Sequence, residues 1–224
     1  HLVDFNVFYD PRIKSDNIAT VADRIVIPQL DLRDSNAVRT LFHREKFNVI
    51  VHLAARAGVR PSIHQPELYY DTNVIGTLHL LEAARATNIE RFIFASSSSV
   101  YGLSKEVPFS EEMRITQTIS PYAASKVAAE LLCSTYSHLY QMRIVALRFF
   151  TVYGARQRPD LAIHKFTKKI LKDEPIDQFG DGTTRRDYTY IDDIIQGVTA
   201  SFDYNGPLFD VFNLGESETI QLKD

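Results

Sequence analysis

Apolar and polar positions follow two rhythms through about residue 150. Short, nearly continuous apolar runs rich in Val, Ile and Phe lie at Arg24–Ile27, Asn48–Leu53, Arg91–Ala95 and Arg143–Phe149, and each predicts a buried strand. Between them, Ser35–Glu45, Leu68–Thr87 and Pro121–Gln141 space their apolar residues at i, i+3 and i+4, which predicts amphipathic helices. Ser35 and Ser120 suit N-caps, and Pro121 suits a first helical turn. Apolar strands alternating with such helices predict a parallel sheet covered on both faces, that is, an α/β doubly wound fold.

Beyond that point the texture changes. Thr151–Asp160 is a polar loop with two arginines, followed by an amphipathic Leu161–Lys172. A Gly/Asp/Thr loop at Gly180–Thr184, a strand-like Tyr188–Tyr190 and a helix over about 192–202 come next. The expected division is therefore a larger sheet domain over 1–150 and a smaller lobe over 151–224 that wraps the strand ends. Ligands of open α/β sheets bind outside the carboxyl ends of the strands. Leu53-Ala54-Ala55, Ser96–Ser99 and Thr151 all fall at such ends.

Composition narrows the function classes. The 224 residues are 45% hydrophobic and 24% charged, with a net charge of -3 and both signs interspersed, which recommends neither a nucleic-acid nor a membrane partner. No apolar run reaches the roughly 18 residues of a membrane span, and no signal peptide opens the chain. The lone Cys133 sits in a helical pattern, reads as a buried inert thiol and fits a reducing, cytoplasmic location. The seven histidines have no metal-site spacing, so no metal is assigned. The chain starts at His1 and stops just past the strand-like Val211–Leu214, so further residues are expected beyond both ends.

The candidate chemistry centres on Tyr122-Ala123-Ala124-Ser125-Lys126. Tyrosine and lysine four apart share one helix face. A free tyrosine titrates near pH 10, so acting as a base near neutrality requires roughly 4 kcal/mol of phenolate stabilisation, part of which an adjacent ammonium supplies. Alone, this spacing favours an ordinary surface lysine beside a half-buried tyrosine, since it is common by chance. Four hydroxyls at Ser96–Ser99, facing the expected crevice, tip the balance to catalysis. Arg185, Arg186, Arg156 and Arg158 supply planar forks suited to diphosphate, or simply a solvated surface. Asp31 is either an acceptor for an adenine amino group or part of a helix N-cap region. A glycine turn that would cradle a pyrophosphate is missing, since the first glycine is Gly58. Either it lies upstream of His1 or the chain binds no dinucleotide.

Taken together, these residues resemble the extended short-chain dehydrogenase/reductase family, and within it the nucleotide-sugar 4-epimerases. Phe94–Gly102 resembles that family's catalytic-serine strand and Ser120–Lys126 its Tyr-x-x-x-Lys helix. Val51–Ala55 and Asn73–Thr77 resemble its cofactor contacts, and Arg186-Asp187-Tyr188 its diphosphate segment. Arg148–Gly154 with Arg156–Asp160, and Phe5-Asn6 with Tyr9-Asp10-Pro11, are most similar to the UDP-glucuronate 4-epimerases. The usual amino-terminal Asp-Asn-Phe-Asn is Val3-Asp4-Phe5-Asn6 here, with the acid one place late.

The resemblance implies a Rossmann-like, NAD-binding domain and a UDP-sugar lobe. It assigns catalysis to Ser97, Tyr122 and Lys126, and NAD contacts to Asp4, Asp31, Leu32, Leu53, Ala54, Ala55, Asn73, Tyr122 and Lys126. It further implies sugar and diphosphate contacts from Ser98, Thr151 and Arg186, uracil stacking on Phe179, and a homodimer through two helices. The implied reaction is 4-epimerisation of UDP-glucuronate to UDP-galacturonate through a transient 4-keto sugar. The alternatives are a UDP-glucose 4-epimerase and a non-catalytic nucleotide-binding module. Dehydratases and decarboxylases of this fold place an acid in the serine segment, where Ser97, Ser98 and Ser99 stand. If the 224 residues were the entire molecule, little NAD binding and no turnover are expected.

Overall fold

The alternation read from the sequence becomes, in chain order, α1 (Pro11–Ile18), α2 (Ser35–Arg44), β1 (Val49–His52), α3 (Val59–His64), α4 (Pro66–Tyr70), α5 (Gly76–Ala86), β2 (Arg91–Ser97), α6 (Pro121–Tyr140), β3 (Arg143–Phe149), β4 (Thr151–Tyr153), α7 (Ala162–Ile170), β5 (Arg185–Tyr190), α8 (Ile191–Ala200), β6 (Phe209–Leu214) and β7 (Thr219–Gln221). This computed structural model describes residues 1, 8–178 and 180–223. Asp4, Phe5-Asn6 and Phe179, all singled out in the sequence, lie outside the described residues.

Two compact units emerge. The larger comprises Leu30–Phe149 and Ile195–Leu214. Its sheet has the order β1-β2-β3-β6, and every neighbouring pair is parallel. Parallel strands require crossovers, which the helices supply, giving a Rossmann-like layered α/β fold. Phe92, Ile93, Phe94, Ile144 and Leu147 are almost wholly buried because both sheet faces are covered. Helix α6 packs on β2 and β3, while α2 packs against α5. The smaller unit comprises His1–Gln29, Phe150–Ile194 and Gly215–Asp224, and carries the sheet β4-β5-β7.

Four expectations need correction. Arg24–Ile27 is not a strand: Arg24 ends a 3-10 turn, and Val26 and Ile27 stand 55% and 39% exposed. An apolar run becomes a strand only when a neighbour takes its backbone hydrogen bonds, and among the described residues none pairs with it. Helix α2 is capped by Asp34 rather than Ser35, because the carboxylate accepts from both Asn36 N and Ala37 N, at 2.9 and 3.0 Å. Leu68–Thr87 is not one regular helix, since Asp71–Ile75 forms a π-helical turn between α4 and α5. Finally, 151–224 is not a single lobe: β6 pairs with β3, so Ile195–Leu214 belongs to the larger unit.

The turn after β2 depends on one glycine. Gly102 has φ +61°, and a Cβ there would sit 2.3 Å from the Gln117 carbonyl oxygen. Gly102→Ala is therefore expected to cost about 1–3 kcal/mol, read as a lower urea midpoint.

Candidate active site

Helix α6 begins where the sequence set it to begin. Ser120 accepts from Ala123 N at 3.1 Å, and Pro121 occupies the first turn. Tyr122 follows, half-buried, with its ring edge-on to Tyr69 at a centroid distance of 6.2 Å. One helical turn on, Lys126 is buried and donates to the Ala95 carbonyl of β2 at 2.6 Å, its ammonium 5.0 Å from the Phe94 ring centroid. Burial pushes its pKa down to about 8, against the opposing influence of Cys133 and Glu130. Lys126 therefore stays cationic at neutral pH.

The four serines divide. Strand geometry points successive side chains to opposite faces. Ser96 turns inward and donates to the Glu130 carboxylate, so it does not share the crevice expected for all four hydroxyls. Ser97 Oγ accepts from Ser99 N at 3.2 Å and caps the 3-10 turn Ser98–Tyr101, which leaves its own proton to donate. Ser98 and Ser99 are partly exposed. Lys126 is thus anchored two residues before Ser97 on the same strand.

A largely buried polar relay links β1, the π-helical turn, α5 and α6. Asn73, on the π-helical turn, accepts from Arg56 N at 2.7 Å and donates to Arg56 O and Ser125 Oγ, both at 2.9 Å. Its amide thus ties the loop after β1 to α6, and Ser125 in turn donates to the Tyr122 carbonyl at 2.7 Å. Thr77 donates to the Asn73 carbonyl at 2.6 Å. Its one proton spent, Thr77 accepts from His52 Nε2 at 2.9 Å, which puts the imidazole proton on that nitrogen.

Burial, with the Lys126 charge adding to it, pushes the pKa of His52 down to about 3. An unfolded chain takes up this proton near pH 6.5, whereas the folded one does not until about pH 3. The stability it contributes is full above about pH 6.5 and lost as pH falls. By pH ~4 the loss is expected to reach about 3 kcal/mol, measured by urea unfolding, and His52→Asn should flatten that slope.

Leu53 is 56% exposed at the end of β1, beside exposed Ala54 and half-buried Ala55. Asp31 accepts from both Arg33 Nε and Nη2, at 3.0 and 2.6 Å, and this hydrogen bonding holds its carboxyl below the usual range. Leu32 is buried, and its carbonyl bonds His79 Nδ1 at 2.8 Å. In the smaller unit, Thr151 lies opposite Tyr188 on paired β4 and β5, and Arg186 is exposed two residues earlier on β5. Its neighbour Asp187 is buried and accepts from Glu216 N and Ser217 N at 3.0 and 2.9 Å, which fixes that strand. Among the described residues no cluster could hold a metal, and no helix is long and apolar enough to cross a membrane.

Sequence reasoning missed Glu130 and Arg148. Their ion pair, 2.8 Å apart, is 8% and 5% exposed at the side chains. An arginine inside an otherwise apolar strand was the available signal.

A profile of the NAD dependent epimerase/dehydratase family matches residues 7–215. A UDP-glucuronate 4-epimerase of Thermodesulfobacterium geofontis is 45% identical over 187 residues, covering 84% of this chain and 57% of the relative. UDP-glucuronate 4-epimerase 1 of Arabidopsis thaliana is 40% identical over 237 residues, covering 98% of this chain and 55% of its own length. The chain thus spans a little over half the length of these curated relatives. The crystal structure of UDP-glucuronic acid 4-epimerase from Bacillus cereus, in complex with UDP-glucuronic acid and NAD, superposes with a TM-score of 0.89 at 37% identity. That match covers 100% of this chain and 72% of the other. The family profile spans most of the sequence, and the chain belongs to the NAD dependent epimerase/dehydratase family.

Proposed function

We propose that this protein is an NAD-dependent UDP-sugar 4-epimerase acting on UDP-glucuronate. The observation that carries the reading is the buried Lys126, one turn past Tyr122 and tied to the strand that ends in Ser97. The names of the relatives at 45% and 37% identity support the choice of sugar.

The donor set fits the nicotinamide riboside half of NAD. A buried ammonium has three donors, Ala95 takes one, and Leu53 with Ala54 presents exposed apolar surface at the neighbouring strand end. Asp31, Leu32, Ala55, Asn73 and Asp4 complete the proposed cofactor set, with Asn73 acting by holding the Arg56 loop. Residues 1–57 contain no glycine. When bound, NAD accepts a hydride from the sugar and returns it.

The chain's own residues do the proton work. Tyr122 takes the proton of the C4 hydroxyl, with Ser97 bridging the two and Lys126 favouring the phenolate by its charge. Thr151 and Ser98 hold the sugar carboxylate, since hydroxyls bind it without an ion pair that would resist rotation of the 4-keto sugar. Arg186 retains the diphosphate and Phe179 stacks on uracil. The NAD-binding function is assigned to the sheet domain and the nucleotide-sugar function to the smaller lobe. The protein acts in the cytoplasm, where the free Cys133 fits, and pairs into a homodimer. Leu131, Leu139 and Tyr140, exposed on α6, supply apolar surface for that pairing.

A UDP-glucose 4-epimerase of Thermotoga maritima, solved with UDP-glucose, superposes at a TM-score of 0.88 and 28% identity. Offering both sugars separates the readings. Turnover of UDP-glucuronate well above that of UDP-glucose is expected, and the reverse preference would overturn the assignment.

A further inference from the structure

One turn beyond Lys126 on α6, Glu130 receives both Nε and Nη2 of Arg148, at 3.0 and 2.8 Å. The remaining Nη1 of Arg148 donates to the Tyr101 hydroxyl at 2.9 Å, and the guanidinium lies 4.9 Å from the Tyr101 ring centroid. Tyr101 passes its own proton to Asn213 Oδ1 at 2.6 Å and stacks on Phe109 at 4.6 Å. Asn213 Nδ2 in turn donates to the Phe109 carbonyl at 3.0 Å. Ser96, just before Ser97, gives its proton to the same Glu130 carboxylate. A single buried ion pair therefore grips the segment Ser96–Tyr101 at both ends. Between the grips lie Ser97, Ser98 and Ser99.

Burying two charges is costly, and an apolar pair of equal volume would often be no less stable. What a fork-to-carboxylate bond adds is direction, because its planar geometry admits one orientation. We infer that Glu130, Arg148 and Tyr101 are positioning residues that fix both ends of the Ser96–Tyr101 segment and thereby aim the hydroxyls of Ser97 and Ser98 at the substrate. This rests on the reading of Ser97 as the hydroxyl partner of Tyr122. None of the three touches the sugar in this scheme.

The test is Tyr101→Phe in the intact protein, which removes the hydroxyl and keeps the ring on Phe109. Expected are a fall in kcat for UDP-glucuronate of about 10- to 100-fold with KM within about twofold. Amide hydrogen exchange at Ser98–Gly102 should quicken, and Arg148→Lys, which keeps the charge but loses the fork, should shift kcat and exchange the same way. A lowered melting temperature with kcat per folded molecule unchanged would mean a merely structural role and overturn the inference. So would lost turnover with unaltered exchange. The exchange readout needs no substrate: faster exchange in a protein whose wild type leaves UDP-sugars untouched would uphold the positioning and sink the epimerase reading instead.

Discussion

Tyr122→Phe is expected to lower kcat for UDP-glucuronate epimerisation by about 10²- to 10⁴-fold, the range by which a positioned acid–base group accelerates a reaction. The change removes one oxygen and leaves the ring able to keep its edge-on packing with Tyr69. Stability should move by less than about 1 kcal/mol, because the side chain is only half-buried. KM should change little, since in this scheme diphosphate, uracil and carboxylate are held by other residues. The measurement is the rate of UDP-galacturonate appearance, paired with a thermal melt that shows the variant folded. Wild-type turnover in the phenylalanine variant would remove Tyr122 from the chemistry.

The second large effect concerns stability. Glu130→Ala leaves the Arg148 guanidinium buried without its counter-charge and strips Ser96 of its acceptor. Burial works against the arginine's charge, and hydrogen bonds and charge from Glu130 together with Tyr101 outweigh it and raise the arginine's pKa. Breaking a buried pair from one side typically costs about 3–5 kcal/mol, and a loss of that size is expected in urea unfolding. Replacing both partners, as Glu130→Leu with Arg148→Met, should recover most of it. If the single variant unfolds at the wild-type midpoint, the pair carries no such weight.

Much of the fold was legible because its cause is local. β3 falls on Arg143–Phe149 as the apolar run predicts, and the Ser120-Pro121 start of α6 is written in side chains that cap and begin helices. Failures occur where partners distant in sequence decide. Arg24–Ile27 has strand composition and, among the described residues, no strand to pair with, and β6 rejoins the main sheet after a detour that no periodicity records. In the candidate site, Tyr122 and Lys126 were legible because helical spacing relates them directly. The role of Ser96 was not, since only strand alternation and Glu130, 34 residues away, turn it inward. The relay from His52 through Thr77 and Asn73 to Ser125 was equally hidden, being built from three separate segments.

In the proposed reaction the sugar is oxidised and reduced at C4 within one site. The most direct measurement supplies UDP-glucuronate carrying deuterium on C4 to the intact protein, without added NAD, and follows the products by NMR. UDP-galacturonate that retains the deuterium on C4 is the expected result. Loss of the label to water, or no conversion by a folded protein with its cofactor bound, would contradict it.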